Sequence, residues 1–278
     1  VARPVLQIIA EEALAAGVEE LCVVGAPGDE ARCREGLARL AATLGEAFPG
    51  EEWARAQAGR LEDLQGRLSF AVQEEPRGYG HAVYQARGFT AGAPFLLLLG
   101  DHLYLSEQEG KRCAEQVVEL AVREACAVSA VNPTREHLIG RYGTLSGRRE
   151  PRMPGVYRIE RIREKPALSM AELELMTPGL RAGHYLCFFG MHVLTPRIFE
   201  LLEQENGREG ELQLTPALQE LARCERHLAL EVRGTRYDIG ESFGLLRAQV
   251  ALGLAGSRRD ELTAVLLETL AEDRGRGR

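Results

Sequence analysis

Phe95-Leu96-Leu97-Leu98-Leu99-Gly100-Asp101 is the stretch that decides the fold. Five consecutive large apolar residues cannot be divided between a wet and a dry face of a sheet. The run therefore reads as a strand covered on both sides, the central strand of a parallel sheet. It is far too short to cross a bilayer, which takes about 20 residues. The strand stops on a glycine and a carboxylate. Ligands of open α/β sheets bind beyond the carboxyl ends of the strands, so Asp101 is a candidate functional residue, although a carboxylate there also suits a simple N-cap.

Upstream, Pro4 precedes a helical stripe of Val5, Leu6, Ile9, Ala10, Ala13 and Leu14 that Gly17 closes, and residues 18–24 read as a strand. Gly28-Asp29 leads into a helix to about Leu44; a second helix spans about 51–65, and alternating Leu68, Phe70 and Val72 mark a strand. A helix starts at His81. Downstream, 107–124 reads as a helix, 126–131 as a buried strand, and the Arg- and Gly-rich stretch 134–165 as a small inserted sheet region. Residues 185–194 and 227–232 read as strands, 196–203 and 216–222 as helices, and two helices close the chain from Ser242. Strands alternating with helices predict an α/β fold with a mainly parallel central sheet. No linker-like composition divides the chain, so one domain is expected over 1–273, with a frayed tail at 274–278.

The charge balance narrows the function. Basic residues number 34 against 41 acidic ones, a net charge of -7, so there is no general basic face for nucleic acid, while a single small anionic ligand remains open. No basic, apolar leader opens the sequence. Six cysteines without a CxxC pair read as buried thiols of a reducing cytoplasm. Lys111 and Lys165 are the only lysines. Lys111 reads as a surface residue, whereas Lys165, in Glu164-Lys165-Pro166, offers the compact ammonium suited to a point contact with phosphate.

Several motifs fail on inspection. Gly240-Glu241-Ser242-Phe243-Gly244 matches the GxSxG elbow, but no histidine follows Ser242, so its glycines read as turn and helix-packing positions. Neither GxGxxG nor GxxxxGK[ST] occurs. His184 and His192 lie too far apart on one strand to share a metal without a third ligand, and read as core or surface histidines. Gln73-Glu74-Glu75-Pro76-Arg77-Gly78-Tyr79-Gly80-His81-Ala82 joins a strand end to a helix start through glycines. Such a loop lets backbone N–H groups approach a planar or anionic ligand, and equally serves as a plain strand-to-helix turn. Tyr237-Asp238-Ile239-Gly240 places a second isolated aspartate on a turn after a strand.

In order along the chain come the Gln73 to Ala82 loop, Asp101, Arg141-Tyr142-Gly143-Thr144, Glu164-Lys165-Pro166, Val193-Leu194-Thr195-Pro196, Gly210-Glu211-Leu212-Gln213-Leu214-Thr215 and Tyr237-Asp238-Ile239-Gly240. Together they resemble the sugar-phosphate nucleotidyltransferases over essentially the whole chain. The Gly-Tyr-Gly-His-Ala form and the Glu-Leu-Gln-Leu-Thr segment are most similar to the bacterial uridylyltransferase branch. The resemblance implies a Rossmann-like nucleotidyltransferase fold whose inserted sheet region binds sugar. It implies transfer of UMP from UTP to glucose 1-phosphate, giving UDP-glucose and pyrophosphate, with Mg²⁺ as cofactor and closing helices of the kind that make homo-oligomer contacts. Residue by residue, it implies that Gln73 and Gly78 hold the uracil edge, that Asp101 and Asp238 coordinate Mg²⁺, that Gly143 and Glu164 face the glucose ring, and that Lys165 meets its phosphate. Pro166 would hold Lys165 in an extended or turn conformation that lets both neighbours reach one ligand.

The family's opening strand, GTR loop and Pro-Lys precede the first motif found here. The expectation is that they lie upstream of Val1, and that without them the sheet keeps an unpaired edge. Two other readings stay open: a catalytically silent sugar-nucleotide-binding homologue, and a relative using dTTP, ATP, GTP or another sugar 1-phosphate.

Overall fold

A computed structural model describes residues 3–205 and 210–276. In chain order its elements are α1 (Val5–Ala15), β1 (Leu21–Gly25), α2 (Asp29–Ala47), α3 (Glu52–Arg67), β2 (Leu68–Val72), α4 (Tyr79–Gln85), α5 (Arg87–Thr90), β3 (Phe95–Leu98) and β4 (His102–Ser106). There follow α6 (Cys113–Glu124), β5 (Ala127–Arg135), a 3-10 turn (Glu136–Arg141), β6 (Thr144–Arg149), β7 (Val156–Arg163), α7 (Leu168–Glu174), β8 (His184–Leu194) and α8 (Arg197–Glu205). The last are α9 (Leu214–Cys224), β9 (His227–Glu231), β10 (Gly234–Asp238), α10 (Gly244–Leu254) and α11 (Arg259–Arg276).

The α/β class expected from the sequence is the one observed, but its sheet is mixed. Six strands run in the order β3-β8-β5-β9-β7-β6. Within them β5 and β9 pair parallel, whereas β8 pairs antiparallel with both β3 and β5, and β7 with both β6 and β9. A separate parallel pair joins β1 to β2, and an antiparallel pair joins β4 to β10. The run at Phe95 is thus not the centre of a parallel sheet: β3 stands at the end of the order with β8 as its partner, and its residues are half-buried. An apolar run reports cover on its two faces and says nothing about the direction of the neighbouring strand. The stretch expected as an inserted sheet region supplies β6 and β7, which hydrogen-bond into the six-stranded sheet itself.

The central role falls to β8, an eleven-residue strand buried along most of its length. Its side chains alternate between two cores. Phe188, Leu186 and Leu194 pack toward α8 and α9 with Ile198, Leu202 and Leu218, while Phe189 and Met191 pack toward α6 with Val117 and Leu120. A third core, with Leu37, Leu44, Leu61 and Leu64, holds α2 and α3 against β1 and β2. Among the described residues no helix is long and apolar enough to cross a membrane. Helix α11 continues through Arg276, so the expected frayed tail is helical at 274–276, and 277–278 lie outside the described residues. Leu245, Leu246, Val265, Leu267 and Leu270 are exposed on α10 and α11.

Candidate functional site

Two short strands that the sequence did not reveal assemble the acidic corner of the site. β10 runs antiparallel to β4 with Asp238 opposite His102, and the Ile239 N–H donates to the Asp101 carbonyl at 2.9 Å. Two aspartates 137 positions apart in sequence, 101 and 238, are thereby brought side by side. Asp238 Oδ1 accepts the Gly240 N–H at 2.9 Å, which orients the carboxylate. A Cβ on Gly244 would run into the Asp238 carbonyl, so Gly240 and Gly244 are turn and packing positions and not a hydrolase elbow.

His102 lies between the two carboxylates. Its Nε2 is 3.8 Å from Asp238 Oδ2 and 4.0 Å from Asp101 Oδ1, and its side chain is only 8% exposed, against 28% for Asp238 and 60% for Asp101. One donor atom from each of the three falls within 4.8 Å of the others, so this corner can hold a metal ion. Burial, followed by the Arg236 guanidinium, draws the His102 pKa down against the pull of both carboxylates, which keeps the ring neutral. The signal for β4 was present in the sequence as the alternation His102-Leu103-Tyr104-Leu105, hidden by reading the region as the approach to a helix.

A cavity of about 200 Å³ opens from this corner. Of the residues singled out in the sequence, Gly143, Glu164, Lys165 and Asp238 line it, and Asp101 flanks it beside Asp238 and His102. Thr215 Oγ1 donates to Glu164 Oε2 at 2.6 Å, and Lys165 Nζ stands 4.0 Å from Glu164 Oε1. The Lys165 side chain is 60% exposed, at the lip and not in the depth of the cavity. Of the extended or turn conformations that Pro166 left open, the Lys165 backbone takes a turn: φ is +41°, in the left-handed region, and its N–H donates to the Tyr142 carbonyl at 3.2 Å. That turn is what lets two consecutive side chains line one cavity; such a conformation at a non-glycine residue costs about 1–3 kcal/mol. Gly143 is required where it stands. Its carbonyl accepts the Phe188 N–H at 2.9 Å, and a Cβ there would lie 2.6 Å from the Phe188 ring and 3.2 Å from Glu164 Oε2.

Gln73 and Gly78 lie together on the glycine loop and do not line this cavity. Gln73 Nε2 donates to the Gly78 carbonyl at 3.1 Å and lies 3.0 Å from His81 Nδ1, which gives His81 the structural role expected of it. Gly78 has φ +101°, and a Cβ on it would stand 2.7 Å from the Leu212 carbonyl, the same oxygen that accepts the Gly80 N–H at 2.8 Å. The loop is seated on the segment that, three residues later, supplies Thr215 to the cavity.

Other lining residues escaped the sequence reading. The Arg236 guanidinium lies 3.9 Å from the centre of the Tyr142 ring and donates to the Phe188 carbonyl, tying the strand of Asp238 to the wall that carries Gly143. Its position two residues before Asp238, on the same face of β10, was the available signal. The Tyr79 hydroxyl is buried without a hydrogen-bond partner, and burial, then the Asp101 charge, keep it protonated. Deeper, Ser129 Oγ lies 2.7 Å from His192 Nδ1 and 2.8 Å from His227 Nε2. Burial brings these two histidines down to about 3 and about 4, so both are neutral. His192 is therefore the core histidine that its strand position suggested.

The family model described as Nucleotidyl transferase matches residues 1–253. The chain belongs to this family. Within the nucleotidyl transferases, it is 31% identical over 271 residues to the UTP-glucose-1-phosphate uridylyltransferase of Streptococcus pneumoniae serotype 4, covering 96% of this chain and 85% of that protein. It is 32% identical to the enzyme of the same name from Bacillus subtilis strain 168, covering 94% of this chain and 84% of the relative. A crystal structure of UDP-glucose pyrophosphorylase complexed with UDP-glucose is similar to it, with a TM-score of 0.71, 25% identity, and coverage of 91% of this chain and 88% of that one. This nucleotidyl transferase therefore has the Rossmann-like fold implied by its motifs, with the mixed strand directions described above.

Proposed function

We propose that this nucleotidyl transferase moves UMP from UTP to glucose 1-phosphate, releasing pyrophosphate and forming UDP-glucose. The observation that carries the proposal is a single cavity lined by Asp238, with Asp101 beside it, and by Lys165 next to the hydroxyl-bound carboxylate of Glu164. A phosphate oxygen of glucose 1-phosphate attacks the α-phosphorus of UTP, a P–O bond forms, and the bond to the pyrophosphate oxygen breaks. The nucleophile needs no base, because a phosphate monoester with a second pKa near ~6 is mostly dianionic at neutral pH. The difficulty is charge repulsion: unit charges ~4 Å apart interact by roughly 4 kcal/mol at an effective dielectric of ~20.

Lys165 supplies a cation for the sugar phosphate at the lip. Glu164, held by Thr215, accepts hydrogen bonds from sugar hydroxyls, and Gly143 lets the ring lie close to backbone. Gln73 and Gly78 hold the uracil edge from the neighbouring loop. Asp101 and Asp238 hold a divalent cation, Mg²⁺ in this reading, and their fit is supported by donor atoms that converge within 4.8 Å. When bound, the cation offsets the negative charge of the phosphates. The proposed compartment is the cytoplasm, in keeping with six free cysteines.

The test is incorporation of labelled pyrophosphate into UTP from UDP-glucose. Wild-type protein should exchange label, and Asp238→Asn should lose at least about 10²-fold, a usual scale for removing one charge-stabilising group. Binding of UDP-glucose without exchange would leave a sugar-nucleotide binder and remove the transfer step. Exchange with dTTP, ATP or GTP products in preference would reassign the base.

A further inference from the structure

The corner where β4 meets β10 contains a donor that the proposed reaction leaves unused. The His102 side chain makes no direct hydrogen bond: Nδ1 is buried without a partner, and Nε2 looks onto both carboxylates at 3.8 and 4.0 Å, too far for a bond of ~2.7–3.2 Å. The other two buried histidines each have one ring nitrogen on Ser129, although His227 Nδ1 is also without a partner. Nε2 is the ring nitrogen turned toward the carboxylates, so it is the atom that an ion entering this corner would meet. The spacing is that of donors around one ion. With metal–donor bonds of ~2.1 Å, adjacent donors stand ~3.0 Å apart and opposite ones ~4.2 Å apart, a range that includes the two histidine–carboxylate separations of 3.8 and 4.0 Å.

We propose that His102 Nε2 is a third protein ligand at this corner, so that the site binds a first-row transition cation, Mn²⁺ or Co²⁺, more tightly than Mg²⁺ and by more than two carboxylates alone would give. The proposal rests on the reading that Asp101 and Asp238 hold the cation, and it names the class of cation. Imidazole nitrogen suits transition metals, whereas Mg²⁺ favours an all-oxygen octahedron. Nδ1 has no protein partner to fix its state, so it can carry the ring proton when an ion arrives and free the Nε2 lone pair for that ion. The chain also keeps space for the ring: Gly190 has φ +87°, and a Cβ on it would stand 2.5 Å from His102 Nδ1.

The experiment titrates the full chain with MnCl₂ and with MgCl₂ alone, reading free Mn²⁺ by electron paramagnetic resonance. It also records the pulsed spectrum of the Mn²⁺-loaded protein. Wild-type protein should show ¹⁴N modulation from a directly bound imidazole. His102→Asn should remove that modulation and lower the preference for Mn²⁺ over Mg²⁺ by ~10-fold, the scale on which a shell residue changes metal affinity. Bound Mn²⁺ without ¹⁴N modulation in the wild type overturns the ligand assignment even if the variant fails to fold. So does an unchanged preference in a folded His102→Asn. Absence of Mn²⁺ binding, or binding unaltered by Asp238→Asn, removes the carboxylate reading as well, which separates the two failures.

Discussion

Three buried histidines lie within the two strand systems, and they divide into two kinds. His192 and His227 share Ser129 in the interior of the six-stranded sheet and are both hydrogen-bonded. His102, at the end of the β4–β10 pair, is nearly as buried; its Nδ1 has no partner and its Nε2 faces two carboxylates at 3.8 and 4.0 Å. Burial is common to all three, so it cannot be what marks a functional group. What separates them is the nitrogen that meets a partner: one ring nitrogen of each core histidine sits on Ser129, whereas His102 Nε2 faces two carboxylates beyond hydrogen-bond distance, and His227 Nδ1 and His102 Nδ1 alike have no partner.

The largest expected effect breaks the core pair with acid. His192 and His227 titrate near 3 and 4 when folded, below the ~6.5 of the unfolded chain, so unfolding takes up protons once the pH drops under ~6.5. Their full contribution is present above that pH and is lost on the way down to the folded values. At pH 5 each costs about 2 kcal/mol, roughly 4 kcal/mol together. Denaturant unfolding at pH 7.5 and pH 5 measures it, and a stability that stays level across that interval would contradict the neutral pair. Ser129→Ala, which leaves both rings without their partner, should cost about 1–3 kcal/mol at pH 7.5. It should leave Mn²⁺ affinity at the His102 corner unchanged.

A smaller effect is expected at the glycine beside His102. Gly190→Ala introduces a Cβ 2.5 Å from Nδ1 at a backbone with φ +87°, a left-handed placement that costs a non-glycine residue roughly 1–2 kcal/mol. The ring must shift from the carboxylates, so metal affinity should fall together with stability. A variant that loses stability and keeps its metal affinity would show the ring to be no ligand.

The same division explains how much of the site was legible in the sequence. Asp101 could be read because it ends a local apolar run, and Gly143, Glu164 and Asp238 because they sit in short motifs with family counterparts. His102 and Arg236 carried only local signals, an alternating stretch and a place on the face of Asp238, that assign neither a role. Each acquires its role from the pairing of β4 with β10, two five-residue strands whose register is set by tertiary packing and not by any pattern within them. Strand direction was lost for a related reason. The apolar runs at Phe95 and along β8 report two covered faces, and only the long-range pairing of β8 with β3 and β5 makes those contacts antiparallel. Lys165 is the reverse case: its identity was legible, and of the extended or turn conformations open to it before Pro166, the hydrogen bond to Tyr142 selects a left-handed turn.

Lys165 also supplies the smallest and sharpest prediction, since it contrasts an exposed charge with the buried corner. Its side chain is 60% exposed and its ammonium 4.0 Å from Glu164, so water screens it and the fold gains little from it. Lys165→Ala should leave unfolding nearly unchanged. If the ammonium binds the sugar phosphate equally in ground and transition states, the KM for glucose 1-phosphate should rise ~10-fold, about 1.4 kcal/mol, with kcat and the KM for UTP held. Lys165→Arg separates charge from shape. A guanidinium retains the charge but spreads it over a planar fork, so recovery of KM would make charge sufficient, whereas continued weakness would show that the left-handed turn at the lip admits only a compact cation. A fall in kcat at saturating sugar phosphate would move Lys165 from binding the substrate to stabilising the transferring phosphate, and so from the lip of the cavity to its chemistry.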